Sequence, residues 1–444
     1  MDTKELIQYM IADYKKSLPL YRKMRKYYDG QHDIYNKGVF KVRKHSSDRP
    51  THVNWISKFI GEEISYGLNQ PVTYSSKSDN KSIVNDVLMS MEHFKLNHDQ
   101  KLMRELEIYG RCYCLYSYDS KGRFCEMILN PTNAIAYCDE EGNVLLFIRF
   151  YEKKYCKDKF YSVYYPDGSV EIYRNNVLES TEVTDFGCMP VSVCEIEHSE
   201  TIYAKIKELN DDYNELISNQ QSLISEFKNA ILCVCDSKQD IKEAAIEALA
   251  DNDAGAIFYS DPNGKPSWLI KDINDTAIKN QLDEIKENLY AQSGHIDFNE
   301  KLSSNLSGVA LQSRLTGLDQ RVNFVLNAVV DAMYDRVYMI CRGLEMKKNV
   351  KYDPAKLELY DPTDIRIIPN IDIPMDIAAR VNEAVQLSGI VSHKTRLERL
   401  SFVENAETEL ARLREENANN SRFSLQQQKS AEEEAFYGGV STNE

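Results

Sequence analysis

Residues 294–321 read GHIDFNEKLSSNLSGVALQSRLTGLDQR, and the first half of this stretch interrupts two helix-forming segments. Residues 275–293 carry Ile278, Leu282, Ile285 and Leu289 at 4-3-4 spacing. Residues 309–346 carry Leu311, Leu315, Leu318, Val322, Val325 and Val329, again with helical periodicity. The segment between has Asn, Ser, Gly and one Lys but no apolar pattern. A polar loop held between two long helices suits contact with a moving partner better than it suits a catalytic pocket. Gly317 inside the second helix costs about 1 kcal/mol relative to Ala, so a bend is expected there.

Upstream, Ile202, Ile206, Leu209, Tyr213, Leu216, Leu223 and Phe227 repeat at 4-3-4-3 spacing, with Gln220 at the one missing position. That narrow seam predicts a helix over 201–228, roughly 40 Å long, packed against other helices rather than laid on a broad core. The helix of 309–346 would span roughly 55 Å. Residues 231–272 sit between the seam-bearing helices as a compact insert. It reads as strand ILCVCD, helix 241–250, strand GAIFYS, the turn 261–264, and SWLIKDI. Its strands could pair with each other or with a neighbouring copy.

The N-terminal part predicts helices over 1–30, 54–68 and 81–109, with a basic polar loop at 36–52. From 111 to 197 the period becomes two. YCLYSY, FCEMIL, AIAYC, VLLFIRFY, KFYSVYY, VEIYR and VSVCEIE alternate with Gly- and Asn-bearing turns, which predicts an antiparallel meander. Strand-like stretches return at 356–373, followed by short helices at 375–387, 393–400 and 405–418. Gly389 is a helix stop and Ser392 the next start. The tail is Asn-, Gln-, Ser- and Glu-rich, a composition that predicts disorder.

The 444 residues include 69 acidic and 54 basic ones, a net charge of −15. That balance argues against gripping DNA over a broad basic face, though not against surrounding it. Around a ring of copies each acidic residue becomes a ring of like charge, which repels a polyanion. The N-terminus is charged from its second residue, and no apolar run approaches the roughly 18 residues a membrane span needs. Ten cysteines at irregular spacing read as reduced thiols. Cys112/Cys114 and Cys233/Cys235 each put two thiols on one strand face, but neither pair has a second pair at finger-like spacing.

No phosphate-binding loop, H-E-x-x-H or G-x-S-x-G occurs. Residues 29–33 (DGQHD) lack the alternating carboxylates of a calcium loop. No nucleophile, base and oxyanion donor assemble, so no catalytic residue, metal or cofactor is expected.

Five stretches, in order, resemble the portal proteins of tailed bacteriophages, the siphophage-type family. Tyr27-Tyr28-Asp29-Gly30-Gln31-His32 is similar to its early Tyr-Tyr-x-Gly-x-His segment. Asn54, Tyr66-Gly67 and Pro71-Val72-Thr73-Tyr74 follow its next signature. Asp212-Tyr213-Asn214 and Ser218-Asn219, leading into Ile231-Leu232, resemble the start of its stem. Asn305, Ser307-Gly308 and Ala310-Leu311 resemble the run after its channel loop. Leu387 to Ser392 with Thr395, Glu404-Asn405 and Glu409 is similar to its C-terminal helical region, which more often has Asp where Asn405 stands.

The resemblance implies an α+β ring subunit, mainly helical, with long stem helices, an antiparallel β wing, a small α/β clip and a helical crown. It implies a wing at 1–200 and 348–375, stem helices at 201–230 and 273–293, and a clip at 231–272. A channel loop would occupy 294–308, a long kinked helix 309–347, a crown 376–420 and a disordered tail 421–444. The implied partners are about eleven further copies, double-stranded DNA, the terminase large subunit, a head-completion adaptor, and major capsid and scaffolding proteins. The implied setting is the portal vertex of a virion assembled in the host cytoplasm.

Within that frame Asn299, Lys301, Ser303, Ser304 and Asn305 are candidates for weak, even contact with DNA. Lys271, Lys279 and Lys286 would form cationic rings in an otherwise acidic channel, or pair with carboxylates as ordinary surface lysines do. Phe258 and Trp268 are candidate docking anchors of the clip, or its internal core. Two other readings are a packaging nuclease or ATPase, and a self-assembling scaffold unconnected with DNA.

Overall fold

A computed structural model describes residues 3–35, 50–227, 231–235, 256–259, 267–269, 275–297, 308–348, 360–371, 384–398 and 409–418, with a few single positions between. The chain divides into two units. One holds residues 1–303 and 314–370, and the other holds 304–313 and 371–444. The fold is α+β, with antiparallel sheets in the larger unit.

The larger unit opens with α1 (Thr3–Tyr28) and α2 (Trp55–Gly67). Asn54 caps α2, its side-chain oxygen accepting the Ser57 N–H at 3.0 Å. A strand β1 (Thr73–Ser76) follows, then α3 (Lys81–Met91) and α4 (His98–Tyr109). The single helix expected over 81–109 is therefore two. The Glu92 N–H turns back to the Met89 carbonyl, and Phe94 packs on the His98 ring at 4.5 Å between centroids, so the chain breaks where an aromatic is drawn inward.

Eight strands follow: β2 (Arg111–Tyr118), β3 (Phe124–Leu129), β4 (Ala134–Cys138), β5 (Val144–Glu152), β6 (Lys159–Tyr164), β7 (Ser169–Arg174), β8 (Val177–Val183) and β9 (Val191–Glu195). The turns obey their residue types. Gly122 and Gly142 take positive φ behind Asp119 and Asp139, whose carboxylates accept backbone N–H groups two and four residues on. Asn175 and Asn176 both adopt positive φ, the type I′ geometry of a two-residue hairpin.

One expectation fails here. Instead of a single meander there are two sheets, β3-β2-β9 and β4-β5-β6-β7-β8, because β9 returns to pair with β2, setting Cys194 opposite Cys112. Alternation along β5 explains the layering. Leu146 and Ile148 meet Ile7 and Met10 of α1 on one face, while Phe147 meets Tyr113, Leu115 and Val191 on the other. The opposite face of β2 carries Cys112, Cys114 and Tyr116, all buried. Cys112 Sγ reaches the Leu102 carbonyl of α4 at 3.9 Å.

The expected long helices appear as α5 (Ile202–Phe227), α6 (Asp275–Ser293) and α7 (Gly308–Lys348). Between α5 and α6 lie β10 (Ile231–Cys235), β11 (Ala256–Tyr259) and β12 (Ser267–Leu269). They pair with one another in the order β11-β10-β12, β11 parallel and β12 antiparallel to the centre. A parallel pair needs a crossover of a dozen or more residues. The helix expected at 241–250 would provide it but lies outside the described residues, as do the loop at 36–49, 356–359 of the later strand region, most of 375–387 and the tail. The strand β13 (Ile365–Ile368) pairs antiparallel with β1.

In α7 the expected apolar line is buried from Leu315 through Leu318, Val322, Val325 and Val329, and the helix runs unbroken through Gly317. In the smaller unit, Gly389 has φ +85°. Ser392 accepts the Thr395 N–H at the start of α8 (His393–Glu398). Both agree with the stop and start read from the sequence. Among the described residues no helix is long and apolar enough to cross a membrane.

Candidate functional site

The helix α5 is seated by a polar stripe. Asn210, Asn214 and Ser218 recur every four residues, all fully buried. Their oxygens accept the backbone N–H groups of Trp55, Val53 and Thr51, at 3.0, 2.7 and 3.0 Å. Four helical residues rise about 6 Å, and two extended residues advance about 6.6 Å, so the two chains mesh at alternate residues. The Asn210 and Asn214 amides also donate to His32 Nδ1, at 3.1 and 3.0 Å, while Nε2–H donates to the Tyr27 carbonyl. His32 is thereby a neutral imidazole, and burial lowers its pKa further.

Asn214 and Ser218 stand in the stretch that resembles the family's stem, but their role as a stripe seating α5 gives no apolar signal because every member is polar. The expected seam residues Leu209, Tyr213 and Leu216 are only half-buried. Tyr213 turns its ring edge to Trp55, 5.6 Å between centroids.

At the end of α6 three of the first four residues of the expected channel loop, Gly294, His295 and Asp297, are fastened. Gly294 takes φ +75°, and a Cβ placed on it would stand 3.3 Å from the Gly317 carbonyl oxygen. A Cβ on Gly317 would stand 3.1 Å from the Gly294 oxygen, so α7 and the loop root cross backbone to backbone. An open groove of about 540 Å³ flanks the crossing, lined by Glu197, Glu200, Lys205, Gln320 and Arg321 among others.

His295 stacks on Phe59, 4.3 Å between centroids, with Nε2 3.2 Å from the Phe59 carbonyl and Nδ1 3.1 Å from that of Ser293. Burial brings its pKa down to about 4 against the pull of those two carbonyls, so it is neutral at pH 7. Asp297 pairs with Lys286 and accepts from the Tyr290 hydroxyl at 3.3 Å. Lys58 of α2 donates to the same hydroxyl at 2.8 Å and sits over the Tyr290 ring.

Behind the root lies a buried ionic cluster. Arg321 of α7 reaches Glu63 of α2 at 3.3 Å and Glu107 of α4 at 2.9 Å, and both carboxylates are fully buried. Burial, then the neighbouring Glu107, push the Glu63 carboxyl well above its ordinary range, and Arg321 offsets this only in part. One guanidinium thus serves two buried acids and also reaches Glu200 at 3.7 Å, and the Glu63 carboxyl holds its proton above the ordinary carboxylate range. A second cluster joins Arg336 to Glu126 at 2.6 Å and to Asp99 at 2.8 Å.

The sequence-derived candidates divide as follows. Lys286 is paired with Asp297 of its own chain, and the hydrogen bond to Asp297 raises its pKa. Lys279 is exposed on α6 with Asp283 and Glu287 following at four-residue steps on the same face. Phe258 stands opposite Val234 and Trp268 opposite Leu232 in the strand register. Lys271, Asn299, Lys301, Ser303, Ser304 and Asn305 lie outside the described residues. His295 and Arg321 were not singled out in the sequence. The one signal available was the pair of glycines, Gly294 just before His295 and Gly317 one helical turn before Arg321.

These features can be compared with known proteins. Residues 7–422 match the family model described as "Phage portal protein, SPP1 Gp6-like". The chain is similar to the portal protein of Bacillus phage SPP1, with 23% identity over 424 residues, 89% of this chain and 80% of that one. A similar solved chain comes from the neck of an empty GTA particle, with TM-score 0.44 and 10% identity, over 80% of this chain and 96% of that one. The family match takes in α1 to α8 almost whole: the chain belongs to the SPP1 Gp6-like family of phage portal proteins, structural rather than enzymatic components of the virion built as homo-oligomeric rings.

Proposed function

We propose that the ring, of about twelve subunits, is the conduit for double-stranded DNA during packaging and ejection, with the terminase large subunit and then a head-completion adaptor docking on the clip. The stem is α5 with α6, the clip is 231–272, the channel loop is 294–308, and the wing is 1–200 with 348–375. The crown is 376–420, and major capsid and scaffolding proteins meet the ring as it assembles in the host cytoplasm.

The observation that carries this reading is the charge of the stem. Glu208, Asp212 and Glu215 are exposed along one side of α5, and Asp283, Glu284 and Glu287 are exposed on α6. Repeated around a ring, such a surface lets a polyanion slide without sticking, because tight phosphate contact would stall translocation. Contact is then left to the loop, where Lys301 is the single cation and Asn299, Ser303, Ser304 and Asn305 offer neutral hydrogen bonds. Phe258 and Trp268 are the clip's docking anchors.

The double variant Lys301→Ala with Asn305→Ala should form rings normally yet package DNA more slowly or to shorter length. Packaging assays in procapsids carrying the variant ring read this directly. Normal rate and length would refute the loop's role.

A further inference from the structure

α2 touches four other parts of the larger unit, each by different chemistry. At its start the Trp55 N–H is held by Asn210 of α5, and the Trp55 ring packs against Tyr213 and Tyr290. One turn on, Phe59 carries the His295 ring and its carbonyl receives Nε2. Near its end Glu63 meets Arg321 of α7, which also holds Glu107 of α4. At its last residue a Cβ on Gly67 would lie 2.9 Å from Val322 Cγ1, so α2 and α7 approach closely there.

The loop root, by contrast, has three fastenings in four residues: Gly294 on Gly317, His295 on α2, and Asp297 on Lys286 and Tyr290. Two of these hold the root to the long helices beside it. His295 joins it to α2, and its ring is almost wholly buried.

We propose that α2 is a strut that fixes the origin of the channel loop, with His295 as its positioning residue. The inference rests on the conduit reading. Force applied to the loop by moving DNA passes through residues 294–297 into α2, and from α2 into α4, α5 and α7. Because the root has no slack, residues 294–297 move with α2 rather than against it. Releasing His295 would let the root swing against α2, and the loop would meet DNA at a wandering position. Such coupling counts only if two ends of the path respond together.

Two substitutions separate the donors from the ring. His295→Phe keeps the stacking on Phe59 and loses the single N–H that a neutral imidazole carries, whereas His295→Gln keeps an N–H donor for the Phe59 carbonyl. Full-length rings of each, built into procapsids, should be compared for packaging rate and for amide exchange in the assembled state. His295→Phe should form rings and package about tenfold more slowly, within the usual span of coupling energies, with faster exchange at 59–63 and 294–297 together. His295→Gln should recover to within about threefold of the parent. If His295→Phe fails to assemble, Asp297→Asn supplies the test, loosening the half-exposed fastening and slowing packaging by about threefold.

Packaging at the parental rate by these variants would overturn the strut, as would equal defects in the Phe and Gln variants or faster exchange confined to 294–297. Each of those results leaves the conduit standing. Parental rings that assemble but support no packaging would instead remove the conduit reading itself.

Discussion

Replacing Arg336 by Met should destabilise the larger unit by about 3–5 kcal/mol, the usual effect of removing one partner from a buried ion pair. Arg336 is 1% exposed and Glu126 fully buried. Burial alone would push the Glu126 carboxyl up, yet the guanidinium and His98 outweigh it and hold the pKa at about 2. Its folded value lies below its ordinary 4.5, so its stabilisation is present above about pH 4.5 and is lost as pH falls toward 2. A shift of that size corresponds to about 3 kcal/mol. Without Arg336 burial is opposed only by His98 and Cys114, so the Glu126 carboxyl rises from its low value and the acid limb of the stability profile flattens. Urea denaturation followed by Trp fluorescence from pH 3 to pH 8 reads both effects. An Arg336→Met protein as stable as the parent, with the same acid limb, would contradict this account.

Arg321→Met should cost about the same, 3–5 kcal/mol, because it strands Glu107 and Glu63 together in the interior. Glu63→Gln should do the opposite. The Glu63 folded pKa is raised, so the folded state keeps a proton that the unfolded chain releases above about pH 4.5. Stability therefore falls with rising pH from 4.5 up to the folded value and levels off beyond it. A glutamine imitates the protonated carboxyl, accepting from Arg321 and donating to Glu107. It should match or exceed parental stability at pH 7 and abolish that slope. The same urea series checks this; a Glu63→Gln protein that is less stable than the parent at pH 7 would show that Glu63 is ionised there.

The two arginines also mark where the sequence stopped being readable. Helix positions followed from apolar spacing alone: 275–293 was expected and Asp275–Ser293 is found, and 309–346 became Gly308–Lys348. Arg321 and Arg336 adjoin the buried line of α7 but look like any solvated cation, since their fully buried partners Glu63, Glu107 and Glu126 lie more than 200 residues upstream. The stripe Asn210, Asn214, Ser218 was hidden for the same reason, its partners being backbone groups of 51–55. β8 was overlooked because VLESTEV has almost no buried position and so no alternation to detect. The two-sheet arrangement depended on β9 choosing β2, a non-local pairing that no local turn signal announces.

The most direct test is cryo-electron microscopy of the purified, assembled protein. The account predicts radially symmetric rings of about twelve copies, with a central hole at least as wide as duplex DNA and residues 294–308 bordering it. Rings closed at the centre, or a chain that remains a single copy under all assembly conditions, would contradict it.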